Sequence, residues 1–213
     1  MNADGCWRCG KEPHDSLFCR FCNTLQPPSQ DYYRFFELDR QLSIDLSDLQ
    51  RRYYSLSRLV HPDHFARGTP NEKRFALDAT AILNDAFRTL RDPVARAEYV
   101  LKEEGIEAAH DGAKRVPPEL LEEVFEIKMA LEGDAAARAT LPTALDRFRA
   151  LRGQADRELE TLFQRYDESG ERDALVSVRA VLDRRKYIAN LIEELEEALP
   201  HSPNDRKLTE PRP

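Results

Sequence analysis

Between positions 46 and 60 the apolar residues Leu46, Leu49, Tyr53, Leu56 and Val60 recur at steps of three, four, three and four. That spacing paints one stripe on an α-helix and fits no strand. Asp45 stands where an N-cap belongs, and Asp48 adds negative charge to the first turn. Pro62 closes the run, because the residue before a proline avoids the α region. A second helix is announced by Thr69-Pro70-Asn71-Glu72, a capping box with proline at the first helical position. Its buried stripe is Phe75, Ala79, Ile82, Leu83, Ala86, Phe87 and Leu90. Asp92-Pro93 opens a third helix that stops at Gly105. A short helix is predicted over Tyr32 to Leu38, with Tyr33, Phe36 and Leu38 available for packing. These elements predict a long antiparallel hairpin with a loop at its tip and short helices at its base. The scarcity of glycine, 8 in 213 residues, argues against an all-β chain rich in tight turns.

A second helical block spans 117–199, entered through Pro117-Pro118. Its runs cover about Glu119 to Glu132, Pro142 to Asp167 and Asp173 to Leu199. Pro142 either opens its helix or lies within a longer one beginning near Asp134. Short connections predict antiparallel neighbours and a three-helix bundle. The fold class is therefore all-α. In the helix from Glu119, Leu120, Val124, Ile127 and Leu131 form a sufficient core face. Leu121, Phe125 and Met129 form a second stripe about 130° away, flanked by Glu122 and Glu126. Two readings stay open for it: a wider buried face, or an exposed patch for a partner.

The four cysteines occupy Cys6, Cys9, Cys19 and Cys22, two C-x-x-C knuckles nine residues apart. Disulfides that staple a secreted fold would be spread through its body. Four thiolates converging on one ion are the tetrahedral set that suits a structural Zn²⁺, and iron fits the same sulfurs. The competing reading, redox or reactive thiols, is weakened because no thioredoxin-like βαβ pattern surrounds either knuckle. A head of residues 1–26 buries little core, so a metal would supply its folding energy, ~10–16 kcal/mol for such sites. His14 is expected to be a spectator. The Pro27-Pro28 pair makes 27–30 a stiff linker. The segment 200–213, charged and proline-bearing, is expected to be disordered.

At the hairpin tip stands His61-Pro62-Asp63, which as a string is only loop chemistry. Its setting is more specific. It follows a helix whose run from Gln50 to Val60 holds Arg51, Arg52 and Arg58 and no acid. Helical phase puts Arg51 and Arg58 opposite the apolar stripe, beside Tyr54.

Asp31-Tyr32-Tyr33, Leu59-Val60-His61-Pro62-Asp63 and the long following helix together resemble the J-domain family. The run Thr80-Ala81-Ile82-Leu83-Asn84-Asp85-Ala86-Phe87-Arg88-Thr89-Leu90, then Asp92-Pro93 and Arg96-Ala97-Glu98-Tyr99, resembles the HscB family of J-domain co-chaperones for iron–sulfur protein assembly. So does the order of a J-domain (31–107) followed by a helical bundle. Some members of that family, including eukaryotic ones, are similar in carrying a four-cysteine head. The resemblance implies stimulation of the ATPase of a DnaK/HscA-class chaperone through Arg51, Arg52, Arg58, His61, Pro62 and Asp63. It also implies that the bundle holds an iron–sulfur scaffold of the IscU type through Leu121, Glu122, Phe125, Glu126 and Met129, with Tyr187 supplying an aromatic. ATP hydrolysis then belongs to the partner, and the chain is expected not to be an enzyme.

Net charge is -7. A bulk nucleic-acid binder needs a positive surplus, so a zinc-ribbon nucleic-acid protein is a lesser alternative. A J-domain protein serving a different client is the other. No apolar run reaches the ~20 residues of a membrane span. The first residues lack the features of a signal or transit peptide, so a cytoplasmic protein is expected.

Overall fold

The structure, a computed structural model, describes residues 5–11, 16–107 and 116–199, with backbone alone at 135–136. The expected disordered tail and His14 lie outside the described residues. The α-helices are α1 (Tyr32–Phe35), α2 (Leu46–Leu59), α3 (Pro70–Arg91), α4 (Pro93–Glu103), α5 (Leu121–Glu132), α6 (Ala135–Arg138), α7 (Leu141–Ser169) and α8 (Arg172–Ala198). Two 3-10 turns, Pro62–Phe65 and Pro118–Leu120, complete the described helical elements. Extended pairing among the described residues is limited to one isolated bridge, Phe18 with Leu25. The all-α architecture thus holds: a helix hairpin, then a bundle, behind a small cysteine head. The chain divides into two units, Met1–Glu103 and Glu104–Pro213.

In the first unit the helix starts form as their sequences dictate. The Asp45 carboxylate accepts from the Ser47 and Asp48 amides. Thr69 and Glu72 close a reciprocal capping box at the start of α3. Leu49 and Val60 are fully buried where α2 packs on α3. Leu46 is not: it is the first residue of α2, at the level where α3 ends, and it rims a surface groove with Tyr53, Tyr54 and Phe87. α1 is shorter than the predicted helix. It stops after Phe35 because Glu37 takes a left-handed φ of 54°, which folds Phe35 and Phe36 together into the core. The α4 residue Arg96 is buried yet supplied with acceptors, donating from Nε to the Leu42 carbonyl at 2.8 Å and from Nη1 to the Leu90 carbonyl. A cation is tolerated there because its buried N–H groups find carbonyl acceptors in place of water.

In the second unit α7 and α8 form a long antiparallel pair, reversed at Gly170 with φ 65°. α5 packs at one end of that pair. Its inward side chains Val124, Ile127 and Ala130, with Leu120 of the 3-10 turn before it, share a core with Phe148 of α7 and Ile188 of α8. Ala130 takes the place expected of Leu131, which is half-buried at the edge. The two readings of Pro142 resolve in favour of a break: α6 ends at Arg138, and Pro142 sits in the first turn of α7, where its missing N–H costs nothing. Among the described residues no helix is long and apolar enough to cross a membrane.

Candidate functional site

Three groups of side chains stand apart from the packing. The first is the cysteine cluster. Each knuckle is a tight turn whose first cysteine carbonyl accepts from the residue four positions on, Gly10 to Cys6 and Asn23 to Cys19, both at 2.8 Å. Gly10 and Asn23 close these turns with left-handed φ values of 70° and 51°. Glycine and asparagine are the residues that tolerate that region. The turns bring the four Sγ atoms within 4.8 Å of one another. Cys6–Cys22 and Cys9–Cys19 separations are 3.6 and 3.8 Å. A tetrahedron with metal–sulfur bonds of ~2.3 Å has edges of ~3.8 Å, so the set fits one ion.

The electrostatics agree. Burial pushes the Cys6 thiol up, but the Cys9 and Arg8 backbone amides and the Cys22 and Cys19 thiols outweigh it and bring it down to about 6. The Gln26 side-chain amide also donates to Cys6 Sγ at 3.3 Å. At Cys9 the Lys11 backbone pulls down, yet burial and the neighbouring thiols push it up to about 11. The Thr24 hydroxyl leads in lowering Cys22. Four thiols this close resist ionising together, and a bound cation is what would let them.

The second group is the hairpin tip. α2 ends at Leu59, and Pro62–Phe65 forms a 3-10 turn capped by His61, whose Nδ1 accepts from the Asp63 amide at 3.3 Å. The His61 side chain is half exposed, and that of Asp63 is 89% exposed. Thr80 donates from Oγ1 to the Val60 carbonyl, tying the loop's entry to α3. The three arginines of α2 separate in environment. Arg58 is exposed. Arg51 is exposed but paired with Asp48. Arg52 is structural: it bridges Asp48 at 2.8 Å and donates to the Phe36 and Glu37 carbonyls, each at 3.0 Å. The basic strip is therefore partly neutralised by Asp48, an acid just outside the window that looked free of acids.

The third group lies on α5. Leu121, Phe125 and Met129 are open to solvent, Phe125 to 67%, with Glu122 and Glu126 exposed beside them. Tyr187 is elsewhere. It is 9% exposed and belongs to the core that α5, α7 and α8 share, and burial raises its phenol. An aromatic two turns from its helix's last apolar layer cannot be told from a surface residue by phase alone.

Sequence reasoning did not foresee where the head goes. Trp7 meets the α3 residue Phe75 edge-on at 6.1 Å and donates from Nε1 to the Leu25 carbonyl at 2.8 Å. Arg8 lies 3.7 Å from Glu72, the capping-box acid of α3. The available signal was Trp7 itself, the chain's single tryptophan, placed between two cysteines of the first knuckle.

No family model matches the chain. Among curated proteins, the iron-sulfur cluster co-chaperone protein HscB of Mus musculus is 31% identical over 199 residues, covering 91% of this chain and 82% of that protein. The co-chaperone protein HscB homolog of Shewanella baltica is 34% identical over 168 residues, covering 78% of this chain and 94% of the relative. Among solved structures, the crystal structure of human co-chaperone protein HscB superposes with a TM-score of 0.64 at 28% identity, over 91% of this chain and 97% of that one.

Proposed function

The chain belongs to the HscB family of iron–sulfur cluster co-chaperones, and from that premise we propose that it is an adaptor with two binding surfaces, one for a chaperone and one for that chaperone's client. The hairpin tip engages a DnaK/HscA-class chaperone in its ATP-bound state through His61, Pro62 and Asp63, with Arg58 and Arg51 alongside, and so stimulates its ATPase. The α5 ridge of Leu121, Phe125 and Met129 holds an IscU-type scaffold, with Glu122 and Glu126 favouring a basic rim on it. Arg52 and Tyr187 support these surfaces from within rather than touching either partner. Hydrolysis is the chaperone's chemistry; this chain supplies proximity and timing. The four cysteines hold one structural Zn²⁺, and the protein acts in the cytoplasm.

The observation that carries the reading is the α5 ridge. Three large apolar side chains stand in water on a helix whose core face is complete without them. An exposed apolar ridge of this kind is what a docking surface presents, and it supports the reading. The His61–Asp63 loop supports the other half: its exposed imidazole and carboxylate are turned outward. The test is a three-component assay. The chain should bind an IscU-type scaffold, and chain and scaffold together should raise the chaperone's ATP turnover more than either alone. A chain that binds scaffold without touching turnover would remove the chaperone half, and stimulation without scaffold binding would remove the client half.

A further inference from the structure

The two knuckles of the head share a backbone, yet their intervening residues face different ways. In the second knuckle Phe21 and Arg20 are exposed, the guanidinium lying 4.7 Å from the ring centroid. In the first, Trp7 and Arg8 reach α3 at Phe75 and Glu72. Around Trp7 a small core forms from Leu25, Phe75 and Ala76, with Leu17, Phe18 and Phe65 packed against it. Phe65 is the last residue of the 3-10 turn that begins at Pro62. It is the inward-turned side chain of that turn, since His61, Asp63 and His64 are exposed. The loop that presents His61 and Asp63 is thus seated, at its far end, on apolar surface that the head helps to enclose.

Polar ties follow the same route. Asp63 and Phe65 carbonyls accept from the Ala66 and Gly68 amides at 3.3 and 2.8 Å. Glu72 Oε2 accepts from the Thr69 amide and hydroxyl at 2.8 and 2.9 Å, while Oε1 faces Arg8. Phe65 and Glu72 thus meet residues of the first knuckle or its small core, and Gly68 and Thr69 are each one hydrogen bond from them.

We propose that Trp7 is a positioning residue for chaperone stimulation: it couples the fold of the four-cysteine head to the loop that presents His61 and Asp63. The proposal rests on the reading of that loop as the chaperone contact. Cys6 and Cys9 bracket Trp7 and Arg8, so an ion held by the four sulfurs fixes the backbone from which both side chains project. Without that constraint the knuckle loosens, Trp7 leaves Phe75, and the seat of Phe65 opens to water. The loop then samples more conformations, and its contact residues meet the chaperone in the competent arrangement less often.

The experiment uses the full-length, metal-loaded chain. Because Trp7 is the only tryptophan, its fluorescence reports head docking directly. Stripping the metal with a chelator should shift Trp7 emission to the red and speed amide exchange at Ala66 and Gly68 by roughly tenfold, leaving α7 and α8 unchanged. Trp7→Ala should lower maximal ATPase stimulation roughly five- to tenfold, the scale of a lost aromatic pair, and Trp7→Phe should restore most of it. Phe65→Ala approaches the same seat from the loop side. It should speed exchange at Gly68 with metal content and Trp7 emission intact, which separates the coupling from a mere collapse of the head. Unchanged exchange at Ala66 and Gly68 after stripping, or in Phe65→Ala, would overturn the proposal. His61→Gln keeps the two levels apart. If it leaves stimulation at the wild-type level, the reading of the loop falls; if it abolishes stimulation while Trp7→Ala does not reduce it, the positioning role alone falls.

Discussion

The loop at the hairpin tip and the ridge on α5 are both open to solvent, but different physics holds them in place. The ridge needs only its helix. Leu121, Phe125 and Met129 recur every four residues, so the backbone that buries Val124 and Ile127 presents them at once. The tip has no such scaffold of its own. Its geometry depends on a His61 cap, the Thr80 bond to Val60, the Glu72 box and the seat under Phe65. A surface built on a helix face is sensitive to changes in itself. A surface built on a loop is sensitive to changes several residues away. The two also differ in force: apolar burial on the ridge is indifferent to salt, and charge at the tip is not.

The largest expected effect breaks the ridge. Replacing Leu121, Phe125 and Met129 together by alanine removes three side chains whose burial against a partner contributes ~1.5–3 kcal/mol each before binding costs. Scaffold affinity should fall at least about 100-fold, read by calorimetry. Exposed residues contribute little to the fold, so melting should move by only a few degrees. A drop of ~10 °C or more would assign the stripe to the core and reverse the comparison. Next, His61→Gln or Asp63→Ala should reduce chaperone stimulation roughly tenfold or more without altering helicity, since both side chains project outward. Wild-type turnover in either variant would sink the assignment of the tip.

Smaller effects divide the three arginines of α2. Arg58→Glu should weaken chaperone association several-fold at low salt and almost vanish in effect near 1 M, where screening is short-ranged. Arg51→Glu should do less, because Asp48 already offsets that charge. Arg52→Ala should leave association nearly untouched but destabilise the first unit by ~1 kcal/mol, because it strands the Phe36 and Glu37 carbonyls. Association rates across a salt series, with a urea melt, separate the three. Equal salt dependence for all would show that environment does not distinguish them.

Those differences mark where the sequence was readable. Periodicity and caps exposed the hairpin, since Asp45 and the Thr69–Glu72 box act within four residues. The cysteine spacing exposed the candidate metal centre for the same local reason. What stayed hidden is long-range. Arg96 looks like any helical arginine until its carbonyl partners at Leu42 and Leu90 are in space. Asp48 is the exception, a named first-turn acid whose pairs with Arg51 and Arg52 span only three and four residues and were readable by helical phase. Trp7 gives no periodic signal because its partner Phe75 lies on a separate element. Whether the second α5 stripe is buried was undecidable by phase, because phase gives direction around a helix and not what stands there.

The smallest expected effect tests the tip's dependence on its supports through pH. Hydrogen bonds from the Thr69 amide and then its hydroxyl, with Arg8 nearby, hold the Glu72 carboxyl below its ordinary 4.5. A carboxylate whose pKa is lower in the folded state than in the unfolded chain stabilises the fold fully above the unfolded value. That stability is lost as pH falls through the carboxylate range towards the depressed folded value. Glu72→Gln resembles the protonated form at every pH. At pH 7 it should therefore be less stable than the wild type by ~0.3–1 kcal/mol, the scale of a first-turn charge, because the glutamine can still close the box. The gap should close progressively as the medium is acidified below 4.5, because the wild type loses the same charge. Exchange at Gly68, whose amide bonds back to Phe65 next to this carboxylate, should quicken over the same range once corrected for intrinsic rates. α5 has no share in this box, so its amides should not follow. A stability gap that is constant from pH 7 to pH 3 would mean that the Glu72 charge does not support the tip, leaving apolar packing under Phe65 as its principal anchor.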